Sequence, residues 1–297
     1  MRQFIFFFVL FISCTNGKKT LPSATGENSE VIFVVDDLLW ENTASSLAKS
    51  IFGAPIQGIN QKEAFFRIVQ VSHNEFKSIL KTHKNIIIVS SGAQAFSQEN
   101  KWALDQLVVQ LNWNNDSQKF SKELLRLRQI FAQKELRAIK KVFKKSSQRK
   151  AEERLLYDFK VEYVIPKQYE VVIHEDDFFW ANYDPPKSDE IKNIFIFSFV
   201  PKNTSIQSQV LAKIDSVFAK HLLGAKDGAY ARIEPEYPPH YFKNTYRGLW
   251  KLENGFMGGP FFVKTVFIKN KIVVAVGLVF APQNRKRKYI KEFEAIL

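Results

Sequence analysis

The sequence predicts an α+β protein: two sheet-plus-helix layers, mostly antiparallel in the C-terminal half, joined by a long basic helix. Three observations carry that prediction. Tyr246 to Ala281 reads as three consecutive strands, broken at Asn254-Gly255 and at Lys269-Asn270. Val31 to Trp113 alternates short Val/Ile-rich runs with amphipathic segments in the order β-α-β-α-β-β, the pattern of a sheet covered by helices. Between the two lies Asn114-Asn115-Asp116-Ser117, a helix-capping cluster, followed by about forty residues of helical periodicity.

In the three-strand stretch, Asn-Gly between apolar runs predicts a type I′ hairpin turn, which needs φ > 0 at both central residues. Ile272 to Phe280 is apolar almost throughout, so this strand is expected in the middle of its sheet with both faces covered. Gly258-Gly259-Pro260 within a strand run predicts a bulge or the close approach of another backbone or a ligand, with the bulge preferred.

At the other end, Met1-Arg2-Gln3 precedes the apolar run Phe4–Ile12 and then Ser13-Cys14. A cationic start, a short apolar stretch and a small residue form an export signal. The run is too short to span a bilayer, which takes roughly 18 apolar residues or more. Phe11-Ile12-Ser13-Cys14 resembles a bacterial lipobox. That resemblance implies cleavage after residue 13 and acylation of Cys14. Cys14 is the one cysteine of the chain, so no disulfide can form within it. Removing residues 1–13 takes one cation, Arg2, and no acid from the net charge of +13, leaving +12. Such a charge points to an anionic neighbour, either lipid head groups or an acidic envelope polymer; for an exported chain nucleic acid is not an expected partner.

The expected organisation is a leader over 1–13, a tether over 14–29, an N-terminal α/β domain over 30–115, a connecting helix over 116–156, and a C-terminal α+β domain over 157–297. In the first domain, strands are expected at Val31–Val35, Ala64–Val71, Asn85–Ser90 and Gln106–Trp113, a helix from Glu99 being the alternative to the last. A helix follows Asp36-Asp37. On the connecting helix, Phe120, Leu124, Leu127 and Phe131 share a stripe, and Leu136, Ile139 and Phe143 continue it. The other face carries Lys134, Arg137, Lys140, Lys141, Lys144, Lys145, Arg149 and Lys150. It reads either as a solvated surface or as a strip that meets lipid or an acidic partner. In the second domain, strands are expected at Val161–Ile165, Tyr169–His174, Phe178–Ala181 and Ile194–Phe199. A helix capped by Asn203-Thr204 or Ser205 and running through Leu222, the three-strand stretch and a last helix near Arg285–Lys288 complete it.

Three groups of residues carry a family resemblance. They are Val31–Trp40, Trp102 with Gln106-Leu107-Val108-Val109, and Arg247-Gly248-Leu249-Trp250 with Met257-Gly258-Gly259-Pro260-Phe261 and Phe280-Ala281-Pro282. Together they resemble the uncharacterised Bacteroidota lipoproteins grouped as domain of unknown function 4837. The resemblance implies an exported, lipid-anchored protein and offers no activity, cofactor or catalytic residue. The residues after Cys14 lack the acidic run such bacteria use for surface export, which implies a periplasm-facing anchor.

Common catalytic signatures are absent: the chain has no Gly-x-Gly-x-x-Gly, no P-loop, no His-Glu-x-x-His and no Gly-x-Ser-x-Gly. No cofactor and no metal are expected. His174-Glu175-Asp176-Asp177 has metal-capable side chains, but alternate strand residues face opposite ways, so it reads as a solvated acidic turn. Ser90-Ser91-Gly92 reads as a polar strand exit. The candidate binding residues are Glu234, Glu236 and His240 in the stiff Pro-rich stretch, with Arg247 beyond it. Arg247 is expected to pair with Glu234 or Glu253, and Trp250 to be core. Two functions follow: a lipid-anchored envelope protein that binds an envelope component or partner protein, or a lipid-anchored hydrolase or transferase using Glu234, Glu236 and His240. Convergence of those three in a concave site would favour the second.

Overall fold

The computed structural model describes residues 20–297. The leader and Cys14 lie outside the described residues. Strand β1 (Glu30–Val34) is buried throughout. Helices α1 (Asp37–Leu39) and α2 (Ser45–Ile51) follow, joined by a π-helical stretch, Trp40–Ala44. Then come β2 (Arg67–Val71), β3 (Asn85–Ser91), β4 (Phe96–Glu99) and β5 (Leu107–Trp113). The sheet order is β2-β1-β3-β5-β4, parallel except for the edge strand β4. Gln106–Trp113 is therefore strand, not helix. The polar β4 was not foreseen; backbone pairing with β5 makes it.

Helix α3 (Ser117–Lys145) starts as its cap predicts: the Asp116 carboxylate accepts the Lys119 N–H at 2.9 Å. Phe120, Leu124, Leu127 and Phe131 are buried on the first sheet, while Phe143 packs on the core of the second part. The single helix expected over 116–156 is in fact two. The backbone leaves the helix at Ser146 (φ −132°), and α4 (Arg149–Phe159) starts afresh. The Gln148 side chain donates to Pro166 O and Tyr169 O, and the Glu152 carboxylate accepts the Ile165 N–H at 3.1 Å. These bonds use the break to bind residues 165–169. They also explain why 161–165 is no strand: Val164 N–H goes to Ile296 O at 2.9 Å instead of to a sheet neighbour.

The second sheet is built from β6 (Glu170–His174), β7 (Phe178–Tyr183) and β8 (Ile191–Phe199). Helix α5 (Ile206–His221), capped by the Ser205 hydroxyl, comes next. Then follow β9 (Tyr230–Ile233), β10 (His240–Phe242), β11 (Thr245–Glu253), β12 (Gly258–Ile268) and β13 (Lys271–Phe280). The order is β10-β11-β12-β13-β8-β7-β6, antiparallel, with β9 also on β11. As predicted, β13 is central. Ile272, Val274, Val276 and Leu278 enter the core under α5, while Val273, Ala275 and Val279 enter the core under α6 (Arg287–Ile296). Each Val, Ile or Leu among them contributes about 1.5–3 kcal/mol on burial. Helix α6 comes so near the sheet that a Cβ on Gly277 would lie 2.2 Å from the Phe293 ring.

The turns differ from expectation. Both positive φ values of a two-residue hairpin fall on Lys243 (45°) and Asn244 (59°), between β10 and β11. At Asn254-Gly255 only Asn254 is left-handed, and the connection runs four residues to Gly258. The register of β11 on β12 passes through Gly258-Gly259-Pro260 unbroken, so the bulge is absent and close approach is the reason for the glycines. The stretch expected as a tether is, from Pro22 on, held to the first sheet's end: Leu104 N–H to Pro22 O at 2.7 Å, Ala24 N–H to Leu104 O at 3.0 Å, and Lys84 N–H to Thr25 O at 3.0 Å.

Candidate functional site

The two parts of the chain meet along a seam. Residues 54–66 leave the first sheet and put Ile56 and Ile59 into the second core. Tyr237 OH donates to Ile59 O at 2.8 Å, and Arg287 Nη1 donates to Ala64 O at 2.6 Å. At the centre of the seam lies a buried ion pair. Lys291 Nζ donates to Glu135 Oε2 at 2.6 Å, and the Ser29 hydroxyl donates to Glu135 Oε1 at 2.9 Å. Lys291 also stands 5.0 Å and 4.5 Å from the ring centres of Phe65 and Phe66. Burial pulls its ammonium below the ordinary lysine pKa, and the Glu135 charge opposes that shift.

Beside this pair a groove of about 420 Å³ opens between α3, residues 55–57 and the β10–β11 hairpin. One wall presents Arg128, Gln129 and Gln133; the other presents His240, Lys243 and Arg247. Arg128 lies over Phe65 at 5.2 Å and donates to Ile51 O at 3.0 Å; burial lowers its pKa. Arg247 donates from Nη2 to Glu294 Oε2 at 2.9 Å, and its Nε, shut off from solvent, has no acceptor among the described residues. Glu294 is the one acid of the groove lining. The geometry thus gathers cationic and amide donors around a partly aromatic hollow.

Of the expected site residues, His240 and Arg247 are brought together: they are direct cross-strand partners in β10 and β11. Glu234 and Glu236 are not joined to them. Glu234 lies 3.9 Å from Lys251 and accepts the Glu236 N–H at 3.2 Å, and Glu236 is exposed. Arg247 pairs with Glu294 on α6, not with Glu234 or Glu253. Glu253 stands near Arg232 and Lys251. Trp250 is core, its indole N–H on Val279 O at 3.2 Å. His174 stands 3.5 Å from the buried Asp158, and Asp176 3.9 Å from Arg154. The Gly92 N–H is taken by the Asn112 side chain. Sequence reasoning missed Arg128, Lys243 and Glu294. The one signal in the sequence for Lys243 was its neighbour Asn244, a residue type that tolerates φ > 0 in a short hairpin turn.

A second feature is the ridge along the end of α3 and the start of α4. Between Glu135 and Glu152 the chain has seven cations and no acid. All seven, Arg137 to Lys150, are exposed. Lys144 is tied to Glu152, and Lys167 joins the ridge beside Lys145 and Arg149. An open hollow of about 520 Å³ along the ridge is lined by Arg137, Lys141, Val142 and Lys145 together with Ser23 and Ala24. The chain therefore enters the described fold at the ridge.

These features define a two-sheet α+β protein with a cationic ridge and a seam groove, and with no cluster among the described residues that would hold a metal ion. Residues 147–297, just over half of the chain, match the domain of unknown function DUF4837, and the chain belongs to that family. Residues 24–144 match a second domain of unknown function, DUF8532. The junction of the two matches falls at the break between α3 and α4. No curated protein matches the chain.

Proposed function

We propose that this is a lipid-anchored, periplasm-facing envelope protein that binds an anionic envelope component, the surface of its own membrane, through the α3–α4 ridge. The observation that carries the reading is the place where the chain enters the fold. Ser23 lies in the ridge hollow and is nine residues from Cys14. Nine residues span at most about 30 Å, so acyl chains on Cys14 would keep the seven ridge cations near the head groups. One acyl chain binds only marginally, and a polybasic patch is an effective second attachment. The alternative, a hydrolase or transferase, rests on Glu234, Glu236 and His240 acting together, and their separate environments remove that support.

The anchor is tested by fractionation and by mass spectrometry of the mature N-terminus. Cys14→Ala is expected to move the protein out of the membrane fraction; retention of an unmodified Cys14 behind Met1 would end the proposal. The ridge is tested with the Cys14→Ala chain on phosphatidylcholine vesicles with and without phosphatidylglycerol. Binding is expected only with the anionic lipid and should weaken with salt. Each cation near such a surface contributes about 1 kcal/mol, so Lys140→Gln, Lys141→Gln and Lys145→Gln together should weaken it about a hundredfold. Equal binding to both vesicles would refute the membrane reading, and capture by an acidic polysaccharide alone would replace it.

A further inference from the structure

We infer that the seam groove is a binding site for a short saccharide bearing an anionic group, held by Arg128, Lys243 and Arg247 with His240, Gln129 and Gln133. The charge balance fixes the first part of the ligand. Four cations line the groove: Lys291 is paired with Glu135 and Arg247 with Glu294, the one acid of the lining, so Arg128 and Lys243 carry uncompensated charge. Partly desolvated guanidinium groups of this kind recognise planar or tetrahedral oxyanions through paired N–H donors. In Arg247, Nη2 holds Glu294 and Nε is shut off from solvent, so Nη1 is the nitrogen left to donate to an oxyanion.

The remaining lining fixes the second part. Phe65 is already covered by Arg128 and Lys291, but Phe242, largely exposed with Lys243 over its ring, offers aromatic surface against which the C–H face of a pyranose packs. The amides of Gln129 and Gln133, both on the exposed side of α3, can donate and accept at once, as ring hydroxyls require. A volume of about 420 Å³ falls within the usual range for small-molecule sites, about 300–1,000 Å³. The walls are firm. Two helices and a hairpin closed by a tight turn supply them, and the buried Glu135–Lys291 pair braces the floor. This site is independent of the ridge: Arg137, Lys141 and Lys145 line the other hollow.

The test is calorimetry on the purified full chain with three probes: a uronic-acid disaccharide, the same disaccharide with its carboxyl reduced to the alcohol, and a disaccharide phosphate. The uronate or the phosphate ester should bind, and the stronger of the two identifies the source of the charge. The reduced sugar should bind about tenfold more weakly or not at all, the loss expected for a charged hydrogen bond. Lys243→Asn keeps a residue that tolerates positive φ and removes the cation; Gln133→Glu adds an anion at an exposed helix position. Each should weaken binding of the charged probe about tenfold with the thermal unfolding midpoint unchanged. The triple ridge variant Lys140→Gln, Lys141→Gln, Lys145→Gln should bind normally. Equal affinity for the reduced sugar, unchanged binding by both groove variants, or no binding of any probe would overturn the assignment.

Discussion

Lys291→Met is expected to destabilise the protein by about 3–5 kcal/mol, the range for removing one partner of a buried ion pair. In the native fold Glu135 and Lys291 are 8% and 4% exposed, so the carboxylate left behind would have only the Ser29 hydroxyl as donor. Lys291 also supplies the cation that faces Phe65 and Phe66, contacts a methionine replaces only in part. Total stabilities of single domains are about 5–15 kcal/mol, so the loss is a large fraction of what holds α3 to α6. Urea unfolding of the variant should show a lower midpoint. The double variant Glu135→Leu, Lys291→Met should recover most of it, because two apolar side chains of similar volume leave no unpaired charge. If the single variant unfolds at the wild-type midpoint, the pair is not what closes the seam.

That ion pair also shows what the sequence did not reveal. Glu135 stands at the head of a run of lysines and arginines and has the look of a surface residue; its partner is 156 positions away. The groove has the same character. Its walls come from residues 55–65, 128–136, 240–247 and 291–294, and none of these segments is unusual alone. By contrast, β1, the meander and the apolar stripe of α3 were legible, because burial on one or both faces leaves a periodic record within a single segment. The break at Ser146–Gln148 was hidden because it uses neither Gly nor Pro; the Gln148 and Glu152 side chains stabilise it by bonding the backbone of residues 165–169. Val161–Ile165 has the alternation of a strand, yet α4 and α6 claim its backbone first. Lys243 occupies a left-handed position that propensity assigns to Asn or Gly, so the I′ turn was expected at Asn254-Gly255 instead.

The paired motifs Arg-Gly-Leu-Trp and Gly-Gly-Pro-Phe give the second large effect. They are cross-strand partners: Gly248 opposite Phe261, Leu249 opposite Pro260, Trp250 opposite Gly259. A Cβ on Gly259 would lie 2.1 Å from Val279 O, a backbone atom that cannot swing aside. The same carbonyl accepts the indole N–H of Trp250, so an alanine there would push the strand away and break that bond as well. Overpacking costs about 1–3 kcal/mol, and a buried carbonyl left without a donor about as much again, so Gly259→Ala should cost about 2–6 kcal/mol. Gly92→Ala is the matched control. It has a left-handed φ of 69° but nothing within 4 Å of the added methyl, so only the backbone penalty of about 1–2 kcal/mol applies. Urea midpoints of the two variants, read with tryptophan fluorescence, should separate them clearly. If Gly259→Ala unfolds no earlier than Gly92→Ala, the Val279 carbonyl does not hold β12, and another reason must be found for the glycine beside Trp250.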